Sequence, residues 1–377
     1  MIALHRTDTS LLGRWWWTVD RWTLAAIALL LAIGGVMTLA ASPAVAERID
    51  VESFHFVKRQ AVFLSLAALT IFGVSMLSLR GVRRLAILCT LGALILMAMT
   101  LVFGAEIKGA TRWLNLAGFT IQPSEFVKPG IAVVAAWLFA GQRMDNRFPG
   151  YQMSIALYLV TVAILLMQPD VGMTIVVSVV WGTQFFIAGL PLVFVAMIVV
   201  LFSGAAVGAY FTFSHVQLRV DRFFGPDADI GYQAARAIEA FQRGGIAGRG
   251  PGEGRVKGVL PDAHADFIFA VAGEEFGLLA CLVLVGFFAF VVLRGFGRVM
   301  KRDDLFVLLA TAGLLSQFAV QALINMASSV SLIPPKGMTL PFISYGGSST
   351  LALAIGMGMV LALTRERPDT GGRGYER

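Results

Sequence analysis

Charge is what this sequence has least of: 14% of its 377 residues are Asp, Glu, Lys or Arg, against roughly 25% in a soluble domain. With 57% hydrophobic residues, that deficit excludes a water-soluble globule and points to a polytopic membrane protein. Cysteine is nearly absent. Cys89 and Cys281 both fall within apolar runs, so they read as small packing residues and not as a disulfide. The four histidines, His5, His55, His215 and His264, form no H-E-x-x-H or paired-ligand spacing, so no protein-supplied zinc site is readable. No repeat of fixed period is present. Nor is there the clustered basic face that nucleic acid would require.

What is present is a series of long apolar runs. A membrane span takes about 20 apolar residues, and ten stretches qualify: 23–43, 60–79, 85–104, 124–141, 152–168, 171–189, 191–211, 267–293, 304–327 and 344–364. The expected fold is an all-α polytopic membrane protein of about ten transmembrane helices. It forms a single domain with a large extracytoplasmic loop, 212–266, between helices 7 and 8. Lys and Arg set its orientation. Arg6, Arg14 and Arg21, the 80–84 and 143–147 turns, the 294–302 turn and the tail all lie on one side, which places the 1–22 segment and the 365–377 tail in the cytoplasm. The tail reads as a short disordered end. The first apolar run ends in an A-x-A-like segment, but it is longer than the h-region of a signal peptide. Trp15, Trp16 and Trp17 sit where an interfacial aromatic belt belongs, so it reads as a retained helix.

Long loops are usually functional. Within 212–266, "DIGYQAARAIEAFQRGG" places Ile230, Ala234, Ala237, Ile238 and Phe241 at helical spacing, with Asp229 as N-cap and Gly244 as the stop. A helix lying on the membrane surface is the simplest reading. The Gly-rich "GGIAGRGPGEGRVKG" that follows is either a flexible linker or a backbone-and-guanidinium cradle for phosphate through Arg249.

Several ionisable groups border the spans. Glu125 and Lys128 share one helix face, as an anchoring ion pair or as a functional pair. Pro169 and Asp170 break two apolar runs, with Asp170 expected to cap the next helix. Asp266 precedes "FIFAVAG" and could act as an N-cap, as a general base, or as both. Glu274 and Glu275 lie about two turns, or about 12–13 Å, further along; they read as internal struts that pair with neighbouring helices. Lys336 in "PPKGM" precedes "SYGGSS", which is either a polar helix start or an anion seat.

Together these stretches resemble the SEDS family (shape, elongation, division and sporulation) of bacterial peptidoglycan glycosyltransferases. The matching segments are "KGATRWLNLAGFTIQPSEFVKP", "QPDVGMTIVV", "LPDAHADFIFAVAGEEFG" and "PPKGMTLPFISYGGSS". They run in order over nearly the whole chain, and "GEEFG" and "KGMTLPFISYGGSS" are similar to the cell-division branch rather than the elongation branch. The resemblance implies an inner-membrane enzyme that polymerises lipid II on the outer face at the division septum. It implies that Asp266 is the catalytic acidic residue, and that Arg112, Trp113, Glu125, Lys128, Lys336 and Ser344 form the substrate site. His264 stands beside the catalytic position. The usual Glu-Ala-His-Thr reads Asp262-Ala263-His264-Ala265 here, which removes a hydroxyl next to Asp266.

The implied chemistry needs a base for the acceptor's 4-hydroxyl and cations for a departing pyrophosphate. Asp266 would supply the first; Arg112, Lys128, Lys336 and Arg249 would supply the second. No cofactor is required, and a divalent cation, Mg or Mn, could assist with Asp266 as a ligand. An α-linked donor giving a β-1,4 glycan implies inversion by single displacement. The expected partners are lipid II, membrane lipid, a class B penicillin-binding transpeptidase and other divisome proteins, with no nucleic acid. The competing readings are a lipid II flippase, a member of the family's elongation branch and a division scaffold.

Overall fold

The computed structural model describes residues 10–107, 110–116, 119–189, 229–334 and 336–366, with isolated positions between 193 and 221. The 191–211 span and the 365–377 tail lie mostly outside these residues, and Lys108 lies wholly outside them.

Helix α1 (Leu11–Thr18) is capped by the Ser10 hydroxyl, and α2 (Arg21–Arg48) by Asp20. Next come α3 (His55–Ser75) and α4 (Leu79–Phe103). A three-stranded antiparallel sheet of β1 (Ala105–Ile107), β2 (Ala110–Leu116) and β3 (Phe119–Ile121) then intervenes, in the order β1-β2-β3. Among the described residues this connection is where strands depart from an all-helical expectation. Helix α5 (Pro123–Met144) starts with proline in its first turn, where a missing N–H costs nothing. Helices α6 (Gly150–Met167) and α7 (Val171–Ile187) are separated at Gln168-Pro169-Asp170, and Asp170 accepts from Met173 N at 3.2 Å. Helix α8 (Asp229–Gly244) follows, and then a 3₁₀ turn (Val256–Gly258), α9 (Ile268–Val299), α10 (Leu305–Ser329) and α11 (Gly347–Thr364). Among the described residues eight helices are long and apolar enough to cross a membrane, and α7 is a shorter apolar helix. They account for every span marked in the sequence except 191–211.

Burial separates the helices into two classes. The apolar windows of α5 and α11 are 78% buried and that of α10 is 67% buried, against 17% for α3. Thus α5, α10 and α11 form the centre, and α2, α3, α4, α6 and α9 are exposed along much of their length. In lipid, close packing of small residues substitutes for hydrophobic collapse. A Cβ at Gly130 would lie 2.4 Å from Thr90 Oγ1, and one at Gly358 would lie 2.7 Å from Val74 Cβ.

The two ends of the bundle differ in chemistry. At one end Glu366 N donates to Thr18 O at 3.0 Å, so the start of α2 meets the end of α11. There Arg294 binds Asp20 through two 2.8 Å bonds, and Arg298 reaches Glu366 at 2.9 Å. At the other end the sheet, the turns after α6 and α10, and the segment before α9 converge.

Two sequence expectations change here. Helix α8 does not reserve its apolar stripe for lipid. Ala237 and Ala240 are buried, and the Phe241 ring packs 5.8 Å from Phe269 on α9. Residues 268–299 are also not one uninterrupted span, since Gly277 breaks the helix at φ 78°, ψ −177°.

Candidate active site at one end of the bundle

Glu274 and Glu275 lie just before the Gly277 break. Both are buried, and the Gly-rich segment wraps them. Glu274 accepts from the backbone N–H groups of Arg255 (2.8 Å), Val256 (2.9 Å) and Lys257 (3.3 Å). Glu275 accepts from Gly252 N at 2.9 Å and is paired with Lys257 Nζ. Their partners are therefore backbone amides and the Lys257 ammonium of the loop and not polar groups of neighbouring helices. The amides do cradle an anion, as one reading of the segment proposed, but the anion is the protein's own carboxylate. Four further bonds close the belt: Arg249 N to Glu274 O (3.0 Å), Gly250 N to Glu275 O (2.9 Å), Leu278 N to Gly245 O (2.9 Å) and Leu279 N to Ile246 O (3.3 Å). They satisfy backbone groups that the break at Gly277 would otherwise leave unpaired in an apolar setting.

Asp266 is placed differently. Helix α9 begins at Ile268, and its N-cap position falls on Phe267, which makes no side-chain cap bond. Asp266 is half-buried and borders a narrow cleft, too tight here to admit a water molecule, with Phe267, Ser328, Lys336, Gly337 and Met338. The turn after α10 passes directly beside its carboxylate. Gly337 has φ 64°, and a Cβ there would sit 3.7 Å from Asp266 Oδ2.

Four bonds tie the Asp266 segment to the turn that carries Lys336, two of them through Asn325 on α10. The Ser344 hydroxyl donates to Ala265 O at 2.6 Å, and Tyr345 N donates to His264 O at 2.9 Å. Asn325 Nδ2 donates to both Asp266 O (2.9 Å) and Met338 O (2.6 Å). Ser344 is buried and its oxygen also accepts from Leu340 N, so it holds the cleft together and does not line it.

Arg112 reaches in from β2. It donates to Gln168 O at 3.3 Å and to Pro169 O, and it lies 3.6 Å from Asp170 Oδ1. Burial raises the Asp170 pKa, and the Arg112 charge opposes that rise. A Cβ at Gly172 would be 3.8 Å from Asp170 Oδ1 and 3.7 Å from Lys336 O. The Arg112–Asp170 pair and the Lys336 turn are therefore adjacent. Trp113 follows Arg112 in β2, in register with Ala105.

Glu125 and Lys128 are enclosed beneath this surface. Lys128 Nζ lies 2.8 Å from Glu125 and donates to Gln321 Oε1 at 2.8 Å. Gln321 Nε2 continues to Thr339 and Ser349. His264 is buried between the rings of Phe56 (4.6 Å) and Tyr345 (5.2 Å). Burial lowers its pKa to about 4, with Asp262 opposing and Arg48 assisting, so it is neutral at pH 7.

Arg249 is not brought to the cleft. It is exposed on the amide belt, and its Nε donates to Arg243 O at 3.1 Å. The sequence reading missed Gln321 and Asn325. Their signal is local, since Gln317, Gln321, Asn325 and Ser329 recur every four residues along one face of an apolar helix. Among the described residues no three His, Cys, Asp or Glu side chains group as metal ligands.

A multi-span helical bundle that gathers a carboxylate and two cations at one end is an integral membrane protein with a site suited to moving a proton beside an anionic group. The family model described as cell cycle protein matches residues 21–369, and the chain belongs to that family. It is 46% identical over 375 residues to a probable peptidoglycan glycosyltransferase FtsW of Caulobacter vibrioides, covering 99% of this chain and 96% of that protein. It is 34% identical over 346 residues to one of Escherichia coli O157:H7, covering 89% and 84%. A chain of a solved peptidoglycan synthase complex superposes with TM-score 0.76 at 28% identity, covering 92% of this chain and 97% of that chain. The rod shape determining protein RodA of Thermus thermophilus does so with TM-score 0.66 at 28% identity, covering 92% and 96%.

Proposed function

We propose that this protein is a peptidoglycan glycosyltransferase of the FtsW kind that polymerises lipid II into β-1,4 glycan strands during septal wall synthesis. One observation carries the reading. Four segments distant in sequence bring Asp266, Lys336 and the Arg112–Asp170 pair to one end of the bundle, with Asp266 at a cleft.

Asp266 accepts the proton of the acceptor 4-hydroxyl as that oxygen attacks the donor's anomeric carbon. The bond to undecaprenyl pyrophosphate breaks in the same displacement, so no covalent nucleophile is needed. Lys336 and Arg112 meet the charge that develops on the leaving pyrophosphate. Lys128 acts from below by holding Gln321, and His264 supplies a neutral wall next to Asp266. Magnesium is bound by one or two carboxylates together with substrate phosphates. Asp266 therefore fits such an ion only once pyrophosphate is present, and no step here depends on it.

The working complex includes a class B transpeptidase and other divisome proteins, because new strands must be crosslinked. The basic end around Arg294, Arg298 and Arg302 faces the cytoplasm, as do both termini, and the protein acts at the septum of the inner membrane.

The test uses purified protein with its transpeptidase partner and labelled lipid II. Strands from the wild type and none from Asp266→Asn, with equal membrane insertion, is the expected result. Lipid II flipping without polymer at every partner ratio would overturn the proposal in favour of a flippase. Normal growth on Asp266→Asn would favour a scaffold.

A further inference from the structure

Helix α10 contributes no charged group to the cleft, yet it bonds both the Asp266 segment and the turn that carries Lys336. Asn325 and Gln321 lie one turn apart on its buried face, each almost wholly inaccessible to solvent. The two donor protons of Asn325 are shared between Asp266 O, in the segment before α9, and Met338 O, two residues past Lys336. Gln321 accepts from Lys128 and donates to Thr339 and Ser349. A side-chain amide presents both donors and an acceptor from a fixed plane. Two of them at i and i+4 point the same way along a helix.

We propose that Asn325 and Gln321 are positioning residues that register the Asp266 and Lys336 segments and Lys128 against one rigid helix. The inference rests on the assignment of Asp266 as the base. A carboxylate on an irregular segment and an ammonium on a neighbouring turn have no rigid element of their own. Their separation is set by what both are bonded to, and Asn325 is bonded directly to both backbones. Ser344 and Tyr345 add bonds between the same segments, and Gln60 of α3 donates to Ser344 O at 3.2 Å; Asn325, by contrast, bonds both backbones from a single helix. Misplacement of a reacting group by about 1 Å can cost roughly a hundredfold in rate, so the loss of one such tether should be visible in turnover.

The experiment compares Asn325→Leu, which keeps the approximate volume and removes both donors, with Asn325→Thr, which keeps one. Each protein is assayed with its transpeptidase partner for equilibrium lipid II binding and for polymerisation at saturating lipid II. Turnover is expressed per lipid II site bound. Turnover of Asn325→Leu should fall roughly tenfold with binding stoichiometry and affinity within twofold of the wild type, and Asn325→Thr should lie between them. Unchanged turnover per site in Asn325→Leu overturns the inference. So does loss of lipid II sites in proportion to the lost activity, because that is the signature of a packing role. If Asn325→Leu does not accumulate, Asn325→Thr decides by the same criteria. Asp266→Asn in the same assay separates the two claims. If it is inactive while Asn325→Leu is normal, only the positioning role falls; if it is active, the base assignment falls and the positioning role with it.

Discussion

Three carboxylates between Asp266 and the Gly277 break have opposite fates. Glu274 and Glu275 are buried and saturated by amides of the Gly-rich belt and by Lys257. Asp266, eight residues earlier, is half-buried at the edge of a cleft with Lys336. A carboxylate whose lone pairs are occupied by fixed N–H groups is held in place and has little capacity to take a substrate proton. One that borders a cleft can exchange a proton with a ligand. Unusual ionisable residues in an apolar helix therefore do not all mark chemistry, and their partners decide which do.

A paired substitution is the strongest way to break this comparison. Asp266→Asn should cost roughly 10²–10⁴-fold in polymerisation and leave the thermal midpoint in detergent near that of the wild type. Glu274→Gln should do the reverse. Its new NH₂ group faces the donors of Arg255, Val256 and Lys257, and leaving buried donors unpaired costs about 1–3 kcal/mol. The midpoint should fall while turnover per folded molecule stays near normal. A Glu274→Gln protein of normal stability and lost turnover would erase the distinction.

The break itself offers a sharper control. Gly277 holds φ 78°, and a Cβ there would lie 2.4 Å from both Gly248 N and Ile246 O, whereas a Cβ at Gly286 would meet nothing within 4 Å. Gly277→Ala should destabilise by about 1–3 kcal/mol and loosen the belt, read as faster proteolysis within 245–257. Gly286→Ala on the same helix should be neutral by both measures.

Acid should affect the Asp266 side through His264. Its folded pKa is depressed to about 4 by burial, with Asp262 opposing and Arg48 assisting, while an unfolded His titrates near 6.5. Between these values the unfolded chain binds more protons, so stability falls as pH drops from 6.5 toward 4. His264→Phe preserves the ring stack and should flatten that part of the stability curve. An unchanged slope would show that other groups set it.

Much of the architecture was legible because its signals are local. Apolar runs marked the spans, Pro169-Asp170 marked a helix break, and charges bordering greasy runs marked Asp266, Lys336 and the Glu125–Lys128 pair, whereas Arg112 was marked only by the family resemblance. What escaped depends on contacts distant in sequence. Strands β1 and β3 have three residues each, too few to show a period, and β2 alone names no partner. The orientation of α8 was misread because an apolar stripe looks the same whether it meets lipid or α9. The partners of Glu274 could not be read from a Gly-rich segment, since glycine reports conformational freedom and not what the freed backbone binds. Gln321 and Asn325 had a four-residue spacing, but in an apolar helix that spacing alone names no partner.

The smallest expected effect tests the edge of the site. Arg249 carries a charge suited to pyrophosphate, yet its backbone N–H binds Glu274 O and its guanidinium reaches the Arg243 carbonyl from an exposed position. It belongs to the belt that holds the glutamates and not to the cleft that holds Asp266. Substitution of an exposed side chain with one such bond should change stability by no more than about 0.5 kcal/mol, and Arg249→Ala should polymerise lipid II within twofold of the wild type. Arg112→Ala removes the charge beside Asp170 and the Lys336 turn and should lose far more, because a charge-assisted contact to phosphate contributes about 1.5–3 kcal/mol, or roughly tenfold to a hundredfold in rate. Equal losses in the two variants would extend the anion-receiving surface across the belt, and the boundary between the two carboxylate environments would then lie beyond Gly277.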